Sequence, residues 1–224
     1  LTRRVADSWA KDKDCGAPLI VCDNTMLGPV FQQPILHGTD LCVYSLTKYV
    51  GGHSDLVAGA VTGPKALVSQ VRVSRGAYGN HLDPHSSWML SRSMETLDIR
   101  MRRAAESGSK IASWLTCNDI LPCQVLHPEH SKDPVYKDLY ARQCSGPGST
   151  FSFVIRNDRA LSFRVLNALQ IFKLAVSLGG TESLVSHPAS TTHSGVAEDM
   201  RERAGVTEGL IRISVAGLGF RVCR

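Results

Sequence analysis

Lys48 stands in the stretch SLTKYVGGHSD, residues 45–55, between a hydroxyl residue and an aromatic. A lysine amine attacks a carbonyl carbon only when it is partly neutral, so its pKa must fall through desolvation or nearby positive charge. The end of a buried strand, followed by Gly51 and Gly52, offers such a place. Ser45 and Thr47 add hydroxyls that can bond phosphate oxygens, and the two glycines let backbone approach a ligand closely. Upstream, Asp23 ends the apolar run in APLIVCDNT, where a carboxylate can pair with a cationic ring nitrogen. A Schiff-base lysine, a hydroxyl pair for phosphate and an acid for a pyridinium nitrogen are the protein's side of pyridoxal phosphate chemistry. Each residue also has a plain reading. A strand-end lysine is ordinarily solvated, and Asp-Asn-Thr is ordinarily a turn or a helix cap.

The elements around these residues are legible as patterns. LTRRVADSWAKDKD reads as an amphipathic helix with Val5 and Trp9 four apart. APLIVCDNT, DLCVYSLTK and LVAGAVTGP are short continuous apolar runs ended by turn residues. Such strands, buried on both faces, predict a mainly parallel sheet in an α/β domain. Ligands gather at the carboxyl ends of strands in these sheets, which is where Asp23 and Ser45–Lys48 fall. After Asp83-Pro84, Leu90, Met94, Leu97, Met101, Ala104, Gly108, Ile111 and Leu115 form one apolar stripe. That spacing predicts a long connecting helix over 85–115. Asp98 with Arg102 and Glu106 with Lys110 are i,i+4 ion pairs on its exposed side. The stretch LPCQVLHPEHSKDPVYKDLYARQCSGPG is rich in Pro and Gly and reads mostly as loop. STFSFVIRN, LAVSLGG and LIRISV read as strands, and DRALSFRVLNALQIF as a helix capped by Asp158. The expected division is 1–84, 85–115, and an α+β unit over 116–224.

Composition removes several classes of function. The chain has 224 residues, 43% hydrophobic and 20% charged, enough to bury a sizeable core. A formal charge of +5, with Lys and Arg spread along the chain, gives a nucleic-acid partner little support. Seven scattered cysteines without a C-x-x-C pair fit neither a disulfide framework nor a zinc site, and suit a reducing cytosol. His187 and His193 are six apart, which matches no usual zinc spacing, so no metal is expected. No apolar run approaches the ~18 residues of a membrane span.

The stretch VCDNTMLGPVFQQPILHGTDLCVYSLTKYVGGHSDLVAGAVTG closely resembles the cofactor-binding region of the pyridoxal-phosphate enzymes of cysteine and methionine metabolism. The resemblance continues through DPHSSWMLSRSMETLDIRM, AVSLGGTESLVSHPASTTHSGV and EGLIRISV, nearly the whole chain. It implies an aspartate-aminotransferase-like fold: the remainder of the large parallel-sheet domain plus a smaller α+β C-terminal domain. It implies that Lys48 forms the Schiff base with pyridoxal 5'-phosphate and then shuttles protons. By the same resemblance Asp23 pairs with the pyridine nitrogen, and Ser45 and Thr47 hold the phosphate. Ser177 lies near the lysine and substrate, and Arg212 clamps the substrate α-carboxylate. His53 and Asp55 fix the loop after Lys48, and Glu182 is structural.

The activity implied is γ-elimination or γ-replacement on a sulfur amino acid, as in cystathionine γ-synthase or homoserine-ester sulfhydrylases. Methionine γ-lyase or cystathionine γ-lyase activity is the alternative, and a non-catalytic truncated subunit a further one. SLGG followed by HPASTTH resembles the γ-acting members, and RVSRGAYGNHLDPH reads as a loop shorter than that of methionine γ-lyase. Homodimers or dimers of dimers, with an active site shared between subunits, are implied as well.

Leu46 departs from the family pattern, which has a small residue there. The family's N-terminal part, with its ring-stacking aromatic and a phosphate loop, has no counterpart here. The expectation is therefore a C-terminal fragment that binds the cofactor weakly alone, with an altered tail in AGLGFRVCR.

Overall fold

The computed structural model describes residues 2–118 and 121–217. Helix α1 (Thr2–Asp12) buries Ala6 and Ala10. The expected stripe turns outward, with Val5 60% and Trp9 49% exposed. The Arg3 guanidinium ties this helix to Gly38 O at 3.2 Å and to the Asp40 carboxylate.

Strand β1 (Val21–Asp23), the short helix α2 (Gly28–Phe31), β2 (Leu41–Ser45) and β3 (Gly59–Thr62) follow. The strands form one sheet in the order β1-β2-β3. β1 and β2 are parallel, with Cys22 opposite Cys42 and Asp23 opposite Val43. Asp23 and Ser45 therefore lie at the same carboxyl edge, as the strand pattern predicts. β3 runs antiparallel to β2, with Ser45 opposite Gly59, against the expectation of parallel pairing. Residues 46–58 are used in turns around Lys48 and contain no crossover helix, so the chain returns the short way.

Helix α3 (Lys65–Tyr78) absorbs the first half of the expected loop RVSRGAYGNHLDPH, and Gly79 ends it at φ +73°. The stripe over 85–115 becomes two helices, α4 (Pro84–Met94) and α5 (Leu97–Cys117). The Ser93 carbonyl accepts from the Thr96 N–H at 3.3 Å and from Arg100 at 2.8 Å, so α4 ends there without a continuing ladder. Both expected ion pairs on α5 form, Asp98–Arg102 at 2.8 Å and Glu106–Lys110 at 2.5 Å.

The rest contains β4 (Gln124–Leu126), α6 (Pro134–Gln143), β5 (Thr150–Val154), α7 (Arg159–Ala168), β6 (Lys173–Leu174), β7 (Leu184–Ser186), α8 (Glu198–Arg203) and β8 (Leu210–Ser214). The Pro-rich stretch expected to be mostly loop thus carries β4 and α6. Asp133 caps α6 by accepting from Val135 N–H at 2.8 Å, with Pro134 as its first residue. LAVSLGG gives only Leu174 to a strand, and the rest crosses toward Lys48 as loop. The second sheet has the order β4-β5-β8-β7-β6. Alternation along β5 buries Phe151 and Phe153, which meet Ile211, Ile213 and Val185 from the neighbouring strands. Ala112 and Leu115 of α5 and Leu166 of α7 close that core. The other end of α5 supplies Met101 and Ala105 to a second cluster with Phe31 and Tyr49. One helix thus packs on both the second sheet and the turn after Lys48. The altered tail expected from AGLGFRVCR lies, from residue 218 on, outside the described residues.

Candidate active site

The turn that carries Lys48 is fixed at several points. Tyr49 and Val50 point into separate apolar clusters, one on α5 and one on Leu56 and Leu90. The Tyr49 hydroxyl lies 2.6 Å from Thr150 Oγ1 and accepts from Ser149 at 3.3 Å, locking the turn to the start of β5. Gly51 N–H donates to Leu46 O and Gly52 N–H to Lys48 O, each at 2.7 Å. A Cβ on Gly51 would sit 2.8 Å from Leu46 O, so the turn closes only around glycine. His53 Nδ1 lies 2.7 Å from Gly51 O, which agrees with its expected role in fixing this loop.

Against this turn lies the segment between β6 and β7. A Cβ on Gly179 would come within 2.7 Å of Tyr49 N, and its φ is +78°. That close approach brings Ser177 Oγ to 3.1 Å from Lys48 Nζ. Arg212, in the middle of β8, reaches the same segment and donates to Val176 O at 2.5 Å and Ser177 O at 3.2 Å. Its neighbours Ile211 and Ile213 are buried in the core, so Arg212 projects from the opposite face of the sheet. Ser152 and Ser186 flank it in register on β5 and β7. Burial pushes the Arg212 pKa below the usual guanidinium range, and the group stays cationic at neutral pH. A guanidinium has five N–H groups, so donors remain for a carboxylate.

The candidates for the ring nitrogen and the phosphate lie at or just beyond the carboxyl edge of β1 and β2. Asp23, Val43 and Ser45 share one sheet face through the parallel register. Asp23 is exposed, and its Oδ1 accepts from Thr25 N–H at 2.9 Å. It therefore makes the plain Asx turn and leaves its second oxygen open. Thr25 Oγ1 accepts from Ser45 N–H at 2.8 Å and joins the two strand ends. Thr47 is committed elsewhere: its hydroxyl accepts from Ala58 N–H at 3.0 Å and donates to Ala58 O at 3.3 Å. Donation to a phosphate requires it to exchange that long bond. An amine, a carboxylate and two hydroxyls at one strand edge form a donor set that fits pyridoxal phosphate.

Sequence spacing missed Asn24 and Arg100. Asn24 is buried and donates to Gly28 O and Gln32 O at 3.0 and 2.9 Å, fixing the bend after Asp23. Arg100 bonds the backbone of the turn after Lys48. Its place directly before Met101 of the apolar stripe is the one sequence signal near it. His187 is buried against Ser190 Oγ and Glu208 O, each at 2.9 Å, and His193 lies 2.8 Å from the neighbouring Thr192 Oγ1. Among the described residues, no three His, Cys, Asp or Glu side chains form a metal-binding group. Nor is any helix there long and apolar enough to cross a membrane.

Comparison with known proteins shows the family. L-methionine gamma-lyase of Pseudomonas putida is 39% identical over 199 residues, covering 88% of this chain and 49% of the relative. Cystathionine beta-lyase of Lactococcus lactis subsp. cremoris is also 39% identical, covering 88% of this chain and 51% of the relative. The chain thus spans about half the length of the curated relatives it matches. The crystal structure of cystathionine gamma synthase from Xanthomonas oryzae pv. oryzae in complex with cystathionine superposes with a TM-score of 0.86 at 37% identity. That superposition covers 97% of this chain and 55% of the other. The family model described as Cys/Met metabolism PLP-dependent enzyme matches residues 5–218, and the chain belongs to that family.

Proposed function

We propose that the protein carrying this chain catalyses γ-elimination or γ-replacement on a sulfur amino acid, in the manner of cystathionine γ-synthase or a homoserine-ester sulfhydrylase. The observation that carries the reading is the meeting of Lys48 Nζ, Ser177 Oγ and the Arg212 guanidinium on one loop. Lys48 would hold the cofactor carbonyl carbon. Asp23 would face the ring nitrogen, and Ser45 and Thr47 the phosphate. Bound pyridoxal phosphate supplies an electron sink that acidifies substrate C–H bonds. Arg212 orients the substrate α-carboxylate through paired N–H donors, which match a planar anion. Once the substrate amine has displaced it from that carbon, the freed Lys48 Nζ would take the α-proton and return a proton further along the substrate. Ser177 Oγ holds that amine in place while it moves between the two positions.

Methionine γ-lyase and cystathionine γ-lyase activities are the runner-up readings. Equal identity to a γ-lyase and a β-lyase leaves the choice of bond to assay. The same reading divides the chain into 1–84, a connecting 85–115 and 116–224, supported by the two separate sheets. It also takes the site as shared between two copies of the protein, supported by the exposed Val57 and Met26 beside the strand edge. Steady-state turnover with methionine, cystathionine, and O-succinylhomoserine plus a thiol tests the activity. Turnover lost in Lys48→Ala is the expected result, and turnover independent of Lys48 would refute the reading.

A further inference from the structure

Arg100 stands at the first turn of α5 and binds across to the turn that carries Lys48. Its Nη1 donates to Tyr49 O at 2.8 Å and its Nη2 to Val50 O at 3.1 Å. The same Nη2 donates to Ser93 O, the frayed end of α4, at 2.8 Å. Its Nε donates to Thr96 Oγ1 at 3.1 Å. Every one of these acceptors is a neutral oxygen, so the guanidinium is spent on backbone and not on a carboxylate. The interruption between α4 and α5 is what allows this: a continuous helix would use the Ser93 carbonyl in its own ladder. The glycine pattern after Lys48 fits the same account. A Cβ on Gly52 would lie 1.9 Å from Arg100 Nη1, and Gly52 has φ +72°. Gly52 N–H in turn donates to the carbonyl of Lys48 itself at 2.7 Å.

We propose that Arg100 is a positioning residue for Lys48, a fork that pins the two carbonyls after the lysine to the α4–α5 junction and so aims the amine at Ser177. The role rests on the reading of Lys48 as the cofactor lysine. Lysine cannot replace Arg100, because an ammonium presents a point charge and not a planar fork.

Hydrogen exchange on the 224-residue chain tests this, with Arg100→Lys and Arg100→Gln compared with the unaltered chain. In both variants the amides of Gly51 and Gly52 should exchange faster by about tenfold or more, as expected when charge-assisted bonds to the turn are lost. Amides of β5 and β8 should keep their rates. In parallel, pyridoxal phosphate is added, borohydride reduces what forms, and mass mapping measures the share of label on Lys48. That share should fall severalfold in both variants. Unchanged exchange at Gly51 and Gly52, or an equal rise in every peptide, overturns the proposal. So does a rise confined to α4 and α5, or labelling of Lys48 equal to the unaltered chain. If the unaltered chain takes no label on Lys48, as the weak binding expected of the fragment allows, the exchange pattern at Gly51 and Gly52 alone decides whether Arg100 pins the turn.

Discussion

At the scale of single residues, the site depends on contacts between positions far apart in the chain. Lys48 and Ser177 meet at 3.1 Å across 129 positions. Spacing alone brings out Lys48, Asp23 and Ser45, because strand-end positions can be read locally. It cannot bring out Ser177 or Arg212, whose approach depends on pairing of β7 with β8 and on the close pass of Gly179. Those two residues were legible only through family likeness. If Arg212 holds the substrate carboxylate as proposed, Arg212→Lys should raise KM for the amino-acid substrate by about tenfold with a smaller change in kcat, since a planar fork becomes a point charge. Steady-state kinetics with a good substrate checks this. Thr47→Val keeps the shape but deletes both side-chain bonds to Ala58. The Ala58 carbonyl keeps the Thr47 N–H at 3.2 Å, so the loss of the amide's partner should cost about 1 kcal/mol, read as a lower denaturant midpoint.

At the scale of elements, local chemistry was read well where caps and alternation were strong. Asp158 was expected to cap a helix, and it accepts from Leu161 N–H at 2.9 Å. Asp158→Ala should therefore lower stability by about 1 kcal/mol, measured by urea unfolding. The alternation in STFSFVIRN translates into the buried pair Phe151 and Phe153. Truncating Phe153 to Ala in that core should cost about 3–5 kcal/mol by the same measurement. The stripe over 85–115 misled because apolar spacing is blind to a carbonyl claimed from outside the helix. Ser93 O is claimed by Thr96 and Arg100, and the helix stops. α6 was hidden for a different reason. Its cap, Asp133-Pro134, is a good start signal, but the Pro and Gly around it dominated the composition of the stretch.

For the whole molecule, pH acts through a few buried or bonded groups. His127 is 4% exposed, packed edge-on against Phe151 and near Glu129 and His130. Burial holds its pKa below the ordinary 6.5. Below pH 6.5 the unfolded chain thus binds more protons than the folded one, so stability is full above that value and falls as the pH drops. The apparent Tm should decline from pH 7 to 5, and His127→Leu should flatten that slope even if it lowers the Tm throughout. A second loss should follow in stronger acid. The Ile20 N–H and the Arg3 guanidinium hold Asp40 below its usual 3.8, and Ser86 does the same for Asp83. Their contribution is present above 3.8 and is lost as the pH falls through their depressed values.

The antiparallel return of β3 gives the lysine a closed ring to sit on. Ser45 pairs with Gly59 at its base, and Thr47 grips Ala58 on both backbone atoms just above. Folding itself therefore removes the wandering of Lys48, before any ligand arrives. A small molecule binding there meets an amine whose freedom has already been spent, so more of its contact energy can appear as affinity.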